Sequence, residues 1–213
     1  MKTFIILFLF LSSALMIAKE NIIQLPTPQQ NIGKSLMESL ALRHSSREFA
    51  PDAISLQEIS NLLWAAFGYN RPEDKKRTAP SAMNTQEMDI YLVMKDASYL
   101  WNPESNTLKL ITDGDIREYT GGQDFVKTAP LNIIYVADLS KIKRDMNDDM
   151  KYMLGADAAF IAENVYLYCA SQGLNVVVRA SIPKDKLSEK LKLADNQKII
   201  LGQTIGYPPK SGK

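Results

Sequence analysis

The stretch MKYMLGADAAFIAENVYLYCASQGL, residues 150 to 174, constrains the fold more than any other part of the chain. Ala, Leu and Met dominate it, apolar residues fall on more than one stripe at helical spacing, and Gly173 stands where the run stops. A helix that is apolar on more than one face has to lie centrally in a core or pack against a second chain. At 213 residues, 46% hydrophobic and 23% charged, the chain has the apolar mass for one such core.

The rest of residues 34–213 alternates between helical and extended patterns. Ser35 with Glu38, and Ser55 with Glu58, have the S-x-x-E spacing of capping boxes. The first opens a helix with Leu36, Met37, Leu40 and Ala41. The second opens one with Leu56, Ile59, Leu62, Leu63, Ala66 and Phe67, stopped by Gly68. Short strands are expected at Ile90–Met94, across LNIIYVAD (131–138), at NVVVRA and at the closing QKIILGQTIGYP. YLWNPESNTLKLI reads as a hairpin, Asp115–Phe125 as a helix weakened by Gly121 and Gly122, and Lys184–Leu193 as a short amphipathic helix. Helices interspersed with antiparallel strands make an α+β domain. Residues 19–33, with two prolines and no period, read as a linker or extended N-terminal arm.

Residues 1–18 stand apart. Lys2, the apolar run Phe4–Leu11 and the small residues up to Ala18 form a secretory signal pattern, although Met16 departs from the preferred cleavage site. The expectation is an exported protein, or a cytoplasmic one if the leader does not function, with no stable membrane association once the leader is removed. The formal charge of +1, which removal of Lys2 brings to zero, predicts no bulk attraction to nucleic acid. Cys169 is alone and His44 is the one histidine, so neither an intramolecular disulfide nor an ordinary zinc site can be built. RDMNDDM (144–150) reads as an acid-rich helix start, and TDGD (112–115) as a turn without the spacing of a calcium loop. There is no dinucleotide-binding G-x-G-x-x-G after a strand, no P-loop and no G-x-S-x-G.

Two stretches collect polar chemistry. In LALRHSSREF, alternation after Leu42 puts Arg43, Ser45 and Arg47 on one side and His44 and Ser46 on the other. Two guanidiniums and a hydroxyl converging suit a phosphate and a polar ring edge. The same arginines could simply complement a helix C-terminus. In TAPSAMNTQE, Pro80 stiffens a loop in which Ser81, Asn84 and Gln86 offer hydrogen bonds, a pattern that an ordinary turn also satisfies.

Taken together, RHSSREF, APSAMNTQ, CASQGLNVVVRA and ILGQTIGYP resemble, in order, the signatures of the FMN-dependent nitroreductase family. NLLWAAFGYNR and KRTAPSAMN are similar to the short members akin to azoline-oxidising (SagB-type) dehydrogenases. The resemblance implies a mostly antiparallel sheet flanked by helices, with the long helix at the interface of a homodimer carrying two FMN sites. It implies phosphate contact at Arg43 and contact near the ribityl chain at Ser45, with His44 beside them, and a cation at Arg47 facing the ring edge where reduced flavin gathers negative charge. Pro80, Ser81, Met83 and Asn84 match a loop that reaches FMN from the partner subunit. Val178, Arg179 and Ala180 match backbone laid against the ring.

The implied reaction is ping-pong: NADH or NADPH, entering transiently, passes hydride to the flavin, and an electron-poor small molecule such as a nitroaromatic or quinone takes the electrons. No catalytic side chain is required. Three alternatives stay open: a dehydrogenase of the azoline-oxidising kind, an exported flavin- or ligand-binding protein without catalysis, and a structural dimer with no cofactor. The chain departs from the family twice. Gln86-Glu87-Met88 replaces Gln-Pro-Trp, and Lys210 is the one residue placed to substitute for a C-terminal phosphate clamp.

Overall fold

The computed structural model describes residues 21–144 and 147–210; the expected leader, and Asp145 and Met146 of the acid-rich stretch, lie outside the described residues. Seven strands form one sheet in the order β1-β6-β5-β4-β7-β9-β8. They are β1 (Ile22–Gln24), β4 (Met88–Met94), β5 (Ala97–Asn102), β6 (Thr107–Asp113), β7 (Leu131–Asp138), β8 (Asn175–Arg179) and β9 (Gln197–Gly206). Every neighbouring pair is antiparallel. A two-stranded ribbon, β2 (Tyr69–Arg71) with β3 (Lys76–Arg77), stands apart. Four helices complete the α+β fold: α1 (Leu36–Leu42), α2 (Leu56–Phe67), α3 (Asp148–Gln172) and α4 (Lys184–Lys190).

The central strands are apolar along their whole length because both faces of the sheet are covered. In β7, Leu131, Ile133, Tyr135 and Ala137 join the larger core with α2 and α3, whereas Ile134 and Val136 join a smaller one with Leu187 and Leu191 of α4. That is the period of two at work. Tyr135, wholly buried, donates to Gln203 Oε1 at 2.5 Å, and Gln203 Nε2 donates to the Ala162 carbonyl of α3 at 3.1 Å. The polar atoms of this core position are thereby satisfied. Helix α3 is capped by Asn147, whose side chain accepts from Met150 N–H, and ends at Gly173 in the left-handed conformation (φ 73°), as a glycine stop requires. Cys169 is a buried small hydrophobe whose thiol burial pushes upward in pKa.

Three expectations need amending. The Ser35–Glu38 box is complete, but at Ser55 only the serine half forms, because the Glu58 carboxylate turns to accept from the Tyr168 hydroxyl and so ties α2 to α3. Residues 22–24 of the expected arm are strand β1, and Pro26 carbonyl accepts from Ser60 Oγ at 2.5 Å and Asn106 Nδ2 at 2.9 Å, so this segment is stitched to the domain.

Finally, Asp115–Phe125 is not a helix. Two single 3-10 turns, Arg117–Thr120 and Asp124–Lys127, flank Gly121 and Gly122. The break has a steric reason: a Cβ on Gly121 would stand 2.2 Å from Arg179 Nη1. The buried Arg179 guanidinium occupies that space, donating to Thr120 carbonyl (2.5 Å), Thr204 Oγ1 (3.0 Å) and Asn132 Oδ1 (3.0 Å). Gly121→Ala should therefore force the guanidinium off its acceptors and cost about 2 kcal/mol of stability, the scale of a buried, charge-assisted hydrogen bond left unmade. Urea unfolding measures this, and an unchanged midpoint would show that the packing at Gly121 is slack.

Candidate functional site

The arginine cluster takes shape where α1 ends. Arg43 leaves the helix with extended dihedrals (φ −58°, ψ 122°), and the chain then runs beside β8, the last strand of the sheet. Ser46 N–H donates to Val176 carbonyl at 2.9 Å, and Ala50 N–H to Tyr207 carbonyl at 2.8 Å. Arg43 and Ser45 share a side, as alternation predicts, and both meet Tyr166 of α3. The guanidinium lies 5.4 Å from the ring centroid, and Ser45 Oγ is 2.8 Å from the phenolic oxygen. Val178 N–H donates to the same oxygen at 2.9 Å. Neither Arg43 nor Arg47 pairs with a carboxylate among the described residues. Arg47 is exposed. His44, also exposed, places Nδ1 2.8 Å from Leu42 carbonyl, so that nitrogen carries a proton and Nε2 is left over.

The second stretch forms a loop held at both ends. Ala82 N–H donates to Asp157 Oδ2 at 2.9 Å, and Gln86 N–H to Ser81 Oγ at 3.0 Å. Arg77, its guanidinium 4.6 Å from the Phe67 ring and 4.1 Å from the Tyr69 ring, donates to Gln86 Oε1 at 2.7 Å. Between these ties Met83 (φ 54°), Asn84 (φ 56°) and Gln86 (φ 50°) are all left-handed without being glycine. Strain of that kind is kept where the surroundings over-determine it, commonly at functional loops. Pro80, Met83 and Asn84 are exposed. Asn84 Oδ1 accepts from Gln86 Nε2 at 3.1 Å, which leaves its amide nitrogen to donate outward. Beside Ala82 and Met83 opens a cavity of about 820 Å³ walled by Lys143, Arg144, Met150 and Met153.

Beneath the loop lies a carboxyl pair that the sequence pattern does not flag. Glu87 and Asp157 are both buried and face each other. Thr85 Oγ1 donates to Glu87 Oε2 at 2.5 Å, but Glu87 Oε1 is without a donor among the described residues. A second carboxylate at close range disfavours the ionised form of the first. Burial, with Glu87 alongside, pushes the Asp157 carboxyl up to about 6, against the pull of the Ala82 N–H.

The two groups do not meet within one chain. Asp157 and Tyr166 both lie on α3, separated by about 13 Å of helix rise and roughly half a turn of rotation, so their partners sit on opposite faces. Val178 joins the arginine cluster. Arg179 does not present its side chain there, since its guanidinium is consumed inside the sheet and burial draws it down to about 10. Ala180, exposed, carries on the free edge of β8. Lys210, 88% exposed, stands 3.6 Å from Asp52. Sequence reasoning missed Tyr166, Asp157, Glu87 and Arg77. The one legible signal was a tyrosine inside an Ala- and Leu-rich helix, since a buried phenol needs a polar partner.

The antiparallel sheet, the long helix and the arginine-bearing segment after α1 define the α+β domain. Residues 40–207 match the family model described as the nitroreductase family, and the chain belongs to that family. A provisionally assigned nitroreductase of Methanocaldococcus jannaschii is 27% identical over 189 residues, 84% of this chain and 93% of its own length. Among solved structures, a provisionally assigned nitroreductase from Ralstonia eutropha JMP134 is 39% identical with a TM-score of 0.85, covering 90% of this chain and 91% of that one. NADPH:FMN oxidoreductase from Vibrio harveyi, complexed with NAD+, shares the fold at 19% identity and a TM-score of 0.61, over 82% of this chain and 69% of that one.

The carboxyl pair yields a pH dependence. An acid whose pKa is raised in the folded state destabilises that state once the unfolded chain ionises. The penalty starts above pH 3.8, grows up to about pH 6 and is constant beyond. Asp157→Asn keeps an acceptor for Ala82 N–H and gives Glu87 a donor. It should stabilise the protein by about 1–3 kcal/mol at pH 8, with the gain fading toward pH 4. Denaturant unfolding at both pH values tests this; a gain independent of pH would refute the raised Asp157 carboxyl.

Proposed function

We propose that the chain is an FMN-dependent oxidoreductase working as a homodimer, taking electrons from NADH or NADPH and passing them to an electron-poor small molecule such as a nitroaromatic or quinone. The observation that carries this reading is the gathering of Arg43 and Ser45 at Tyr166, beside the outer edge of β8, with no carboxylate among the described residues paired to Arg43 or Arg47.

The residues present fit the cofactor. FMN offers a dianionic phosphate, a polyhydroxylated chain and a ring edge rich in acceptors. Against these stand the uncommitted cations Arg43 and Arg47, the hydroxyl of Ser45 and the outward amide of Asn84. When bound, FMN supplies reversible two-electron chemistry. Arg43 holds negative charge at the end of α1, and Arg47 keeps a fixed cation for charge gathered on the ring; an arginine does this without acting as an acid. The exposed edge at Ala180 offers backbone to the ring. The cavity beside Met83 gives nicotinamide and acceptor a common approach, so orientation and electrostatics, not a side-chain base, serve the reaction.

The dimer follows from what one chain leaves uncovered. Leu36, Met37 and Leu40 of α1, and Tyr152, Met153 and Phe160 of α3, are large apolar side chains in water. Burying each fully would contribute about 1.5–3 kcal/mol. A second copy would also bring a loop Pro80–Asn84 to each arginine cluster. Among the described residues no helix is long and apolar enough to cross a membrane. The leader pattern at residues 1–18 supports export, with FMN acquired on either side of the membrane.

Purified protein should bind FMN one per chain, with a flavin spectrum bleached anaerobically by NADH or NADPH and restored by a quinone. Arg43→Ala should weaken FMN binding by tenfold or more, the worth of about one charge-assisted hydrogen bond. A chain that stays colourless in excess FMN would refute the reading. Phe160→Glu should give a monomer in sedimentation and, with it, loss of FMN; a monomer that keeps full flavin affinity would refute the shared site.

A further inference from the structure

Tyr166 is the side chain on which Arg43 and Ser45 converge, yet it is itself closed off from solvent. It is 5% exposed, on the face of α3 turned to β8 and to the segment after α1. Its ring lies under the Arg43 guanidinium and its oxygen meets two groups, Ser45 Oγ and Val178 N–H.

The polarity of these bonds can be worked out. A phenol has one proton to give and an oxygen that accepts. Val178 N–H can only donate, so it occupies the oxygen as acceptor. The phenolic proton then needs an acceptor, and the one in reach among the described residues is Ser45 Oγ. The reverse arrangement, Ser45 donating inward, would strand a hydroxyl proton in a buried place, the costlier outcome. Ser45, itself exposed, is therefore left with its own proton directed away from Tyr166. The Val178 N–H is spent on the phenol, so the next N–H facing outward by strand alternation is that of Ala180.

We propose that Tyr166 is the positioning residue of the cofactor site: its hydroxyl fixes Ser45 as an outward donor for an acceptor oxygen of FMN, closes the Val178 N–H to the ligand, and its ring steadies Arg43. The assignment rests on the FMN reading above, but the mechanical part of it can be read without flavin.

Tyr166→Phe removes one oxygen and keeps the ring under Arg43. In flavin-free protein, amide hydrogen exchange at Ser45–Arg47 and at Val178 should rise about tenfold, while the melting temperature falls by no more than about 5 °C. FMN should bind about tenfold more weakly to the variant. Ser45→Ala should cause a similar loss alone and add little in the Tyr166→Phe background, the non-additivity expected of groups acting as one unit. Should Tyr166→Phe fail to fold, Ser45→Ala carries the test through exchange at Val178 and the FMN titration. Unchanged exchange, or full additivity of the two variants, would overturn the assignment. So would raised exchange with unaltered FMN affinity. Wild-type protein that takes up no FMN would instead overturn the cofactor reading itself, whatever the exchange data show.

Discussion

The constraint on which the rest of this structure depends is the burial of α3 along a stripe running from Met150 through Leu154, Ala158, Ile161 and Val165 to Cys169, with Tyr152, Met153 and Phe160 exposed on the other side. One side packs on the sheet through Ala158, Ile161, Ala162 and Val165, and others meet α1 and α2. Both functional clusters are fastened to it, the loop Ser81–Gln86 through Asp157 and the arginine segment through Tyr166. A helix that serves as core, as scaffold for two polar clusters and as an apolar surface has little freedom in sequence. Its buried polar residues Asp157 and Tyr166 each meet a specific partner. Hydrophobic contact holds the helix in place, and single hydrogen bonds fix what is attached to it.

Most of the fold was legible because the signals were local. Capping serines, the glycine stop at Gly173 and the unbroken apolar run of β7 each state an element within a few residues. What was not legible depended on distant partners. Glu58 has the spacing of a capping-box acid, but a tyrosine 110 residues further on takes it. Ile22–Gln24 carries too little pattern to announce a strand and becomes one because β6 offers an edge. The glycines at 121 and 122 weaken a helix from within, as the sequence suggests, but the demand for Gly121 comes from a guanidinium on β8.

The site was legible in its exposed chemistry and illegible in its supports. Arg43, Ser45 and the loop Pro80–Asn84 stand out as unusual concentrations of polar side chains, and the ordered motifs tied them together. Glu87, Asp157, Arg77 and Tyr166 are spread over the chain and come together only through packing. Arg179 shows how backbone and side chain divide: the motif implies its backbone beside the ring, while its guanidinium, which the sequence does not place, braces the sheet against the two 3-10 turns.

That the loop and the arginine cluster sit on opposite faces of one helix has a genetic consequence. In the proposed dimer, each pocket takes its arginines from one chain and its loop from the other. Defects in the two halves would therefore complement. Mix chains lacking Arg43 with chains lacking Asn84, and every mixed pair holds one pocket with both lesions and one with neither. Two inactive populations would yield working sites on subunit exchange, and two lesions in the same half would not. Few monomeric enzymes can be repaired by their own broken copies; a site divided across a helix can.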